Sequence, residues 1–344
     1  MKAAVVTRFG GPEVIELVEL PTPQPGPGQV LIKVLAARVN RLDHHIRQGD
    51  VASGIPLPHI LGMDAVGEIA ELGAGVPRLA LGDRVIAMPG YPSSPDEQDV
   101  RPVTRASSYT LLGLHRPGTY AQYMVAPEKW VIADTSGLPP EQAVALPTPL
   151  LTAIRAVETV GEVKAGDRVL VHAGASGTGC MAIQVAKVLG ARVAATVRCA
   201  AAARVAAQVG ADRVIDTSDE DVIDAIRRWT RGRGVDVAID CLGGPDFARM
   251  VEAVRPLGIV VLDGLMAGAT ATLDLKRIIN EQKQIRGTLM ADIEDLKAWM
   301  PRVRSGRIKP VVDTVLPLSE AAQAHALMAE NRTKGGVVLL PWSH

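Results

Sequence analysis

Cysteine is scarce in this sequence. Its 344 residues hold three, Cys180, Cys199 and Cys241, too few and too scattered for a disulfide framework, so a reducing cytoplasm is the expected compartment. An excess of one charge is also missing, because 37 Lys plus Arg are matched by 37 Asp plus Glu. A dedicated nucleic-acid or anionic-membrane surface needs a basic excess, so neither partner is expected. No uncharged apolar run of about 20 residues occurs, and nothing is expected to span a bilayer. The apolar stretch from Ile259 to Leu265 is interrupted by Asp263 and carries glycines at its ends, which suits a buried strand. Met1 to Val6 reads as a short strand with no apolar segment and cleavage site behind it, so no signal peptide is expected.

What is present is ordinary for an enzyme: 47% hydrophobic and 22% charged residues, in a chain long enough for two domains with real cores. The first third is rich in Pro and Gly. Pro21 to Pro27 holds four prolines and suits neither helix nor inner strand. Gln29 to Val39, Val66 to Leu72 and Arg84 to Met88 follow as strands separated by Gly-containing turns, an irregular β domain. From about Pro139 the grammar changes. Strands are expected at Arg168 to Ala173, Arg192 to Val197, Arg213 to Asp216, Val235 to Asp240 and Ile259 to Gly264. Helices lie between them at Met181 to Leu189, Ala200 to Val209, Val222 to Thr230 and Phe247 to Val254. Nearly all-apolar strands alternating with helices predict a parallel sheet covered on both faces, an α/β doubly wound fold. A strand at Gln284 to Met290, a helix at Asp292 to Gly306 and a closing strand at Val337 to Leu340 complete the chain, and the tail is expected to rejoin the N-terminal domain.

The most informative motif is His172-Ala173-Gly174-Ala175-Ser176-Gly177-Thr178-Gly179, between a strand and a helix. Small residues let the backbone turn tightly beside a pyrophosphate, and the helix N-terminus offers free N–H groups and a positive dipole end. Gly174, Ser176, Gly177, Thr178 and Gly179 are therefore cofactor-binding candidates. Ser176 stands where the middle glycine of G-x-G-x-x-G belongs. An acid at the end of the next strand would bind the ribose 2′-OH of NAD. The sequence there is Thr196-Val197-Arg198-Cys199, without an acid. Arg198 either faces a 2′-phosphate, which favours NADPH, or is a solvated surface arginine. Cys241 and Leu242, after one sheet strand, and Gly264 and Leu265, after another, are placed at the cofactor because ligands bind at the carboxyl ends of such strands.

An ordered set of segments resembles the medium-chain dehydrogenase/reductase superfamily along almost the whole chain, and in particular its zinc-free quinone oxidoreductase and alcohol dehydrogenase-like members. The segments are Gly10-Gly11-Pro12-Glu13-Val14; Val39-Asn40-Arg41-Leu42-Asp43 with Arg47 and Gly49; Leu61-Gly62-Met63-Asp64 with Gly67; Leu81-Gly82-Asp83-Arg84-Val85; Gly118-Thr119-Tyr120-Ala121-Gln122-Tyr123; Leu151-Thr152-Ala153; the glycine turn with Ile183-Gln184-Val185-Ala186-Lys187; and Asp240-Cys241-Leu242-Gly243-Gly244. The resemblance implies a GroES-like β-barrel catalytic domain, here 1–130 plus 291–344, and a Rossmann domain, here 131–290 and read as NADP(H)-binding on the strength of Arg198, with a cleft between them. It implies a homodimer or homotetramer, commonly paired through the edge strand near Gln284 to Met290, and places Thr152 near the nicotinamide ribose.

Departures from the resemblance decide the expected chemistry. Zinc alcohol dehydrogenases have a Cys where Asn40 stands, a His at Met63 and a Glu at Asp64, and the third-ligand region around Thr148 has no Cys. A catalytic zinc needs about three N, S or O ligands, and Asp64 and Asp43 alone are inadequate. The segment Gly90 to His115 keeps the length of a lobe that often carries four cysteines but has none. No metal is expected at either place, and Pro92 to Ser108 reads as a mobile loop. Without a metal to polarise a carbonyl, hydride transfer to a quinone or an α,β-unsaturated carbonyl is the least demanding reaction, since the developing oxyanion needs only hydrogen-bond donors. The catalytic candidates are Asn40, Asp43, His45 and Asp64. Asn40 either orients substrate or nicotinamide, or satisfies buried backbone groups. His45 either donates a proton or forms a surface pair with His44. Asp64 caps a turn or pairs with Arg47. Two other readings stay open: a zinc-less alcohol/ketone oxidoreductase, and a non-catalytic NADPH-binding sensor or structural protein.

Overall fold

The computed structural model describes residues 1–51 and 54–343. The chain divides into two compact units, residues 1–148, 292–304 and 310–344 forming one and residues 149–291 and 305–309 the other. The sequence boundary near residue 131 shifts for a local reason. Val131–Ala133 pairs antiparallel with Arg84–Ala87, and the short helix Pro140–Ala143 packs on the strands of the first unit. Residues 305–309 join the second unit because Gln184 grips both backbone groups of Lys309: its Nε2 donates to the carbonyl at 2.9 Å and its Oε1 accepts the N–H at 2.7 Å.

The first unit is built on one long strand. Its strands are β1 (Lys2–Val6), β2 (Ile15–Glu19), β3 (Gln29–Val39), β4 (His59–Ile60), β5 (Asp64–Leu72), β6 (Arg84–Ala87), β7 (Gly90–Pro92), β8 (Tyr109–Leu111), β9 (Tyr123–Pro127) and β10 (Val131–Ala133), with helix α1 (Arg41–Gln48) after β3. The eleven residues of β3 pair antiparallel with β5, with β9 and with the late strand β18 (Gly336–Leu340). The resulting sheet runs β10-β6-β5-β3-β18-β17, where β17 is Val312–Pro317. β3 is buried along nearly its whole length, as befits a central strand, yet it carries one arginine, Arg38, into the core.

The second unit holds β11 (Arg168–Val171), β12 (Arg192–Val197), β13 (Arg213–Asp216), β14 (Val235–Asp240), β15 (Val254–Leu262) and β16 (Gln284–Gly287). All are parallel, in the order β13-β12-β11-β14-β15-β16. The connecting helices are α4 (Gly177–Val188), α5 (Ala200–Gln208), α6 (Val222–Thr230), α7 (Phe247–Ala253) and α8 (Leu275–Glu281), following the two-part helical stretch α2 (Pro140–Ala143) and α3 (Pro147–Ile154). Val169, Leu170, Val193, Ala194, Ala238 and Ile239 have no exposed surface, because helices cover both sheet faces. The fold is thus α/β: a doubly wound parallel sheet in one unit and a predominantly antiparallel β unit beside it in sequence. Strand order reverses between β11 and β14, and in such sheets the ligand crevice lies outside the carboxyl ends at that point.

Three expectations change. Helix α4 starts at Gly177 and not at Met181, because Ser176 caps it. β15 starts at Val254 and stops at Leu262, so Gly264 lies beyond the strand. Pro92 to Ser108, expected as a mobile loop, is tied down: Glu97 accepts the Ser107 and Ser108 N–H groups at 3.1 and 2.8 Å, and Gln98 accepts from the Trp130 indole at 2.7 Å. One helical stretch, Pro140–Val160, has the length and composition to cross a bilayer, but 72% of its apolar window is buried inside the protein, as in a core helix.

Candidate active site

In the second unit the glycine turn forms at the carboxyl end of β11. Ala173 adopts a left-handed backbone (φ +57°), unusual for a residue with a side chain, and is held there by its neighbours. Its N–H donates to Thr196 Oγ1 at 3.1 Å, and its carbonyl accepts the Ser176 N–H at 2.9 Å. Ser176 Oγ accepts the Gly179 N–H at 2.9 Å, the usual service of an N-cap serine. The serine in the middle-glycine position is therefore a helix cap, with its own hydroxyl hydrogen still available. A Cβ on Gly179 would lie 2.2 Å from the Ala173 carbonyl oxygen, so only glycine lets helix and turn approach this closely. Gly174, Gly177 and Thr178 complete the turn. Arg198 follows β12, is exposed, and has no ion-pair or hydrogen-bond partner among the described residues. Thr152 is buried in α3.

Beyond the turn, the carboxyl ends of β14 and β15 bring together Asp240, Cys241, Leu242, Asp263, Gly264 and Leu265. Asp240 Oδ1 accepts the Leu242 and Gly243 N–H groups at 2.7 and 3.1 Å and faces His172 Nδ1 at 3.2 Å. A Cβ on Gly264 would stand 2.2 Å from the Cys241 carbonyl oxygen, so the two strand ends press together. Leu265 is half exposed. Burial, and then the Asp263 carboxyl beside it, push the Cys241 thiol well up, which marks a packed thiol and not a nucleophile.

The first unit carries a buried polar network at the end of β3. Asn40 caps α1, and Asp43 Oδ2 accepts the Asn40 N–H at 2.7 Å. Asp43 Oδ1 also accepts the Gly62 N–H at 3.2 Å, and Oδ2 the Tyr120 hydroxyl at 3.0 Å. Gly62 must be glycine, because at φ +97° a Cβ would collide with the Tyr120 ring at 2.4 Å. Burial pushes the Asp43 carboxyl up to about 7 against the pull of these donors, and Asp64 adds to the rise. Asp64, fully buried, takes the Asn40 amide at 2.9 Å and the Thr148 N–H and hydroxyl at 2.9 and 2.7 Å. Its counter-ion is Arg38, 3.7 Å away, whose guanidinium also donates to Asn40 Oδ1. Burial pulls the Arg38 guanidinium down, and Asp64 and then Asp43 push it back up. The expected partner Arg47 is engaged elsewhere: it donates to the Gly10 carbonyl at 2.6 Å and to His325 Nδ1 at 3.2 Å.

Asn40, Asp43 and Asp64 thus come together, and the Asn40 amide is committed to two buried charged neighbours. His45 does not join them. It points outward and pairs with Asp50 at 3.2 Å, because the helical period of α1 turns its side chain away from the face that carries Asp43. The histidine of the network is His325, fully buried on the helix Ala321–Ala329. It lies 3.4 Å from the Tyr120 hydroxyl, and burial, with Arg47 beside it, pushes it down to about 3. Arg38, Tyr120 as an acid partner, His325 and Asp263 were not singled out from the sequence. The signal existed for three of them: a lone charge in an apolar β strand for Arg38 and for Asp263, and a lone histidine in an alanine-rich helix for His325.

A zinc ion does not suit this network. Asp64 is already neutralised by a guanidinium, Asn40 faces that guanidinium with its only acceptor, and Met63 and Thr148 offer weak ligands. Among the described residues no group of three or more His, Cys, Asp or Glu is arranged to hold a metal. A dinucleotide does suit the second unit, whose helix terminus, free arginine and buried Asp240 and Asp263 stand at the carboxyl ends of one parallel sheet.

Comparison with known proteins agrees with this architecture. Residues 26–137 match the alcohol dehydrogenase GroES-like domain family and residues 177–305 the zinc-binding dehydrogenase family. The chain is 30% identical to a quinone oxidoreductase of Pseudomonas aeruginosa over 342 residues, covering 97% of each. It is 31% identical to an NAD-dependent alcohol dehydrogenase of Sulfurisphaera tokodaii over 356 residues, covering 99% of this chain and 100% of the relative. A crystal structure of an NAD-dependent alcohol dehydrogenase superposes with a TM-score of 0.94 at 37% identity, covering 99% of both chains. With the doubly wound sheet, the glycine turn and these full-length relatives together, the chain belongs to the medium-chain dehydrogenase/reductase family of oxidoreductases.

Proposed function

We propose that this chain is a zinc-independent oxidoreductase that uses NADPH to reduce a quinone or an α,β-unsaturated carbonyl. The observation that carries the reading is Arg38. Its buried guanidinium meets Asn40 and Asp64, residues at positions where zinc relatives keep their metal, and it supplies the positive charge that Asp64 requires. A buried acid with a resident counter-ion has little to gain from a second cation. Arg198 supports NADPH: it ends β12 exposed and unpaired, where a 2′-phosphate meets a bidentate donor. The names of the relatives, a quinone oxidoreductase and alcohol dehydrogenases, bracket the substrate class.

A nicotinamide bound in the crevice supplies hydride. The chain's own residues supply the rest. Helix α4 presents its amino end to the pyrophosphate. In the first unit the Asp43 carboxyl, raised to about 7 by burial, is a group able to exchange a proton near neutral pH, with the Tyr120 hydroxyl donating to it. A second reading, a zinc-less alcohol/ketone oxidoreductase, draws on the well-ordered lobe Gly90–Leu111 and the alcohol dehydrogenase relatives. For partners we propose a small-molecule substrate and a second copy of the chain. Among the described residues β16 has a strand neighbour on one side only, and Leu275, Ile279, Ile285 and Leu289 lie exposed around it, an unprotected apolar edge. Three free thiols accord with a cytoplasmic setting.

The test is a panel of acceptors followed by NADPH absorbance. Turnover of quinones or enones, undiminished by a chelator, supports the proposal. Turnover of alcohols with NADP+ but of no quinone or enone favours the second reading, and tight NADPH binding without any turnover leaves a binding protein. Arg198→Ala is expected to weaken NADPH about tenfold or more and NADH little. Equal losses would remove the phosphate role.

A further inference from the structure

The carboxyl ends of β11, β14 and β15 gather four titratable side chains with too few partners. From β11 comes His172, from β14 Asp240 and Cys241, and from β15 Asp263. His172 and the Asp240 Oδ1 atom serve each other and the local backbone. Among the described residues Asp240 Oδ2 is shielded from solvent without a hydrogen-bond partner, and the Cys241 thiol is the one donor that faces Asp263, which leaves at least one of its shielded oxygens unserved. The groups that bear on Asp263 are the Cys241 thiol and the Asp240 carboxylate, and no basic side chain is among them. Cys180, in the first turn of α4, reaches Cys241 but not the acid. A shielded carboxyl oxygen without a donor is destabilising, so Asp240 and Asp263 together mark a place whose partner arrives with a ligand.

The topology says which part of a ligand that is. A dinucleotide lies across the reversal point between β11 and β14, one mononucleotide half on each side. Arg198, at the end of β12, takes the adenosine half under the cofactor reading above, on which this inference rests. The other half then extends over β14 and β15, where Asp263 stands.

We propose that Asp263 meets the nicotinamide half of the cofactor and sets the balance between its oxidised and reduced forms. As a carboxylate it favours the positively charged oxidised ring, and as a carboxylic acid it tolerates the neutral reduced one. Burial, with Asp240 close by, pushes this carboxyl up to about 7, so both forms are accessible at neutral pH. The sign follows from linkage. Raising the pH ionises Asp263, strengthens NADP+ binding and weakens NADPH binding. NADP+ binding therefore releases a fraction of a proton relative to NADPH binding.

The experiment measures the dissociation constants of NADP+ and NADPH for the full chain at pH 6, 7 and 8, in wild type and Asp263→Asn. The ratio Kd(NADP+)/Kd(NADPH) is expected to fall about three- to tenfold from pH 6 to pH 8 in wild type and to stay flat in the variant. The 2′-phosphate titrates equally in both nucleotides and cancels in the ratio. His172 and Cys241 are present in both proteins, so a slope that survives in Asp263→Asn belongs to them and overturns the proposal. Calorimetry of wild type in two buffers of different ionisation enthalpy reads the same proton directly, without a variant. Equal proton exchange for the two nucleotides overturns the proposal too. If both nucleotides bind but their ratio ignores pH, this inference fails alone; if neither binds, the cofactor reading fails and takes the inference with it.

Discussion

Arg38 shows how one side chain alters the chemistry that a fold can host. The segment Leu35-Ala36-Ala37-Arg38-Val39 is apolar apart from that arginine, and the alternation of β3 turns it inward onto Asp64. Removing it leaves a buried carboxylate without a counter-ion, the expensive way to break an internal pair. Arg38→Met is expected to destabilise the protein by about 3–5 kcal/mol, and adding Asp64→Asn should return much of that loss. Thermal or urea unfolding of the two variants checks it, and a single variant as stable as wild type would show that Asp64 needs no cation. Residues of this kind explain what reading the sequence could and could not reach. Asn40, Asp43 and Asp64 were legible because a resemblance marks their positions. Arg38 and His325 were not, because their decisive partners lie far off in sequence: Arg38 meets Asp64, 26 positions on, beyond its near neighbour Asn40, and His325 meets Arg47 across 278 residues. Periodicity reports which face a residue occupies, not who waits there.

At the level of elements, β12, β13 and β14 were legible to the residue, since a strand buried on both faces is written in mostly apolar letters, whereas β15 begins five residues before the expected Ile259. Helix starts were harder. The run Gly177-Thr178-Gly179 has poor helix propensity, yet α4 begins there because Ser176 caps it, and a cap outweighs the propensity of one turn. His45 was misplaced by a similar shortfall: nearness in sequence to Asp43 on α1 does not place two residues on one face. The close fit between turn and helix supplies a prediction. Gly179→Ala puts a methyl against the Ala173 carbonyl, a backbone atom that cannot swing aside, and is expected to cost about 1–3 kcal/mol. A melting temperature equal to that of wild type would show that the turn is looser than described.

At the scale of the whole molecule, the sequence announced two domains but misplaced their seam, because the strand Val131–Ala133 and helix Pro140–Ala143 lack the length that makes an allegiance readable. The lobe from Pro92 to Ser108 looked loose by composition, yet Glu97 and Gln98 knit it to distant backbone and to Trp130. The assembly proposed above has its own test. Ile285→Asp, on the exposed side of β16, is expected to lower the solution mass to that of a monomer in light scattering, while a mass unchanged from wild type would move the interface elsewhere.

The threading of the first unit carries a consequence for how the protein is made. β18 sits between β3 and β17, so the platform begun within the first 40 residues gains its last two strands only when residues 312–340 have left the ribosome. At about 5–20 residues per second, the young sheet waits some tens of seconds with one flank bare, while the parallel unit, whose strands all lie within 168–287, has everything it needs to close first. Nascent chains caught in that interval are the natural clients of a chaperone.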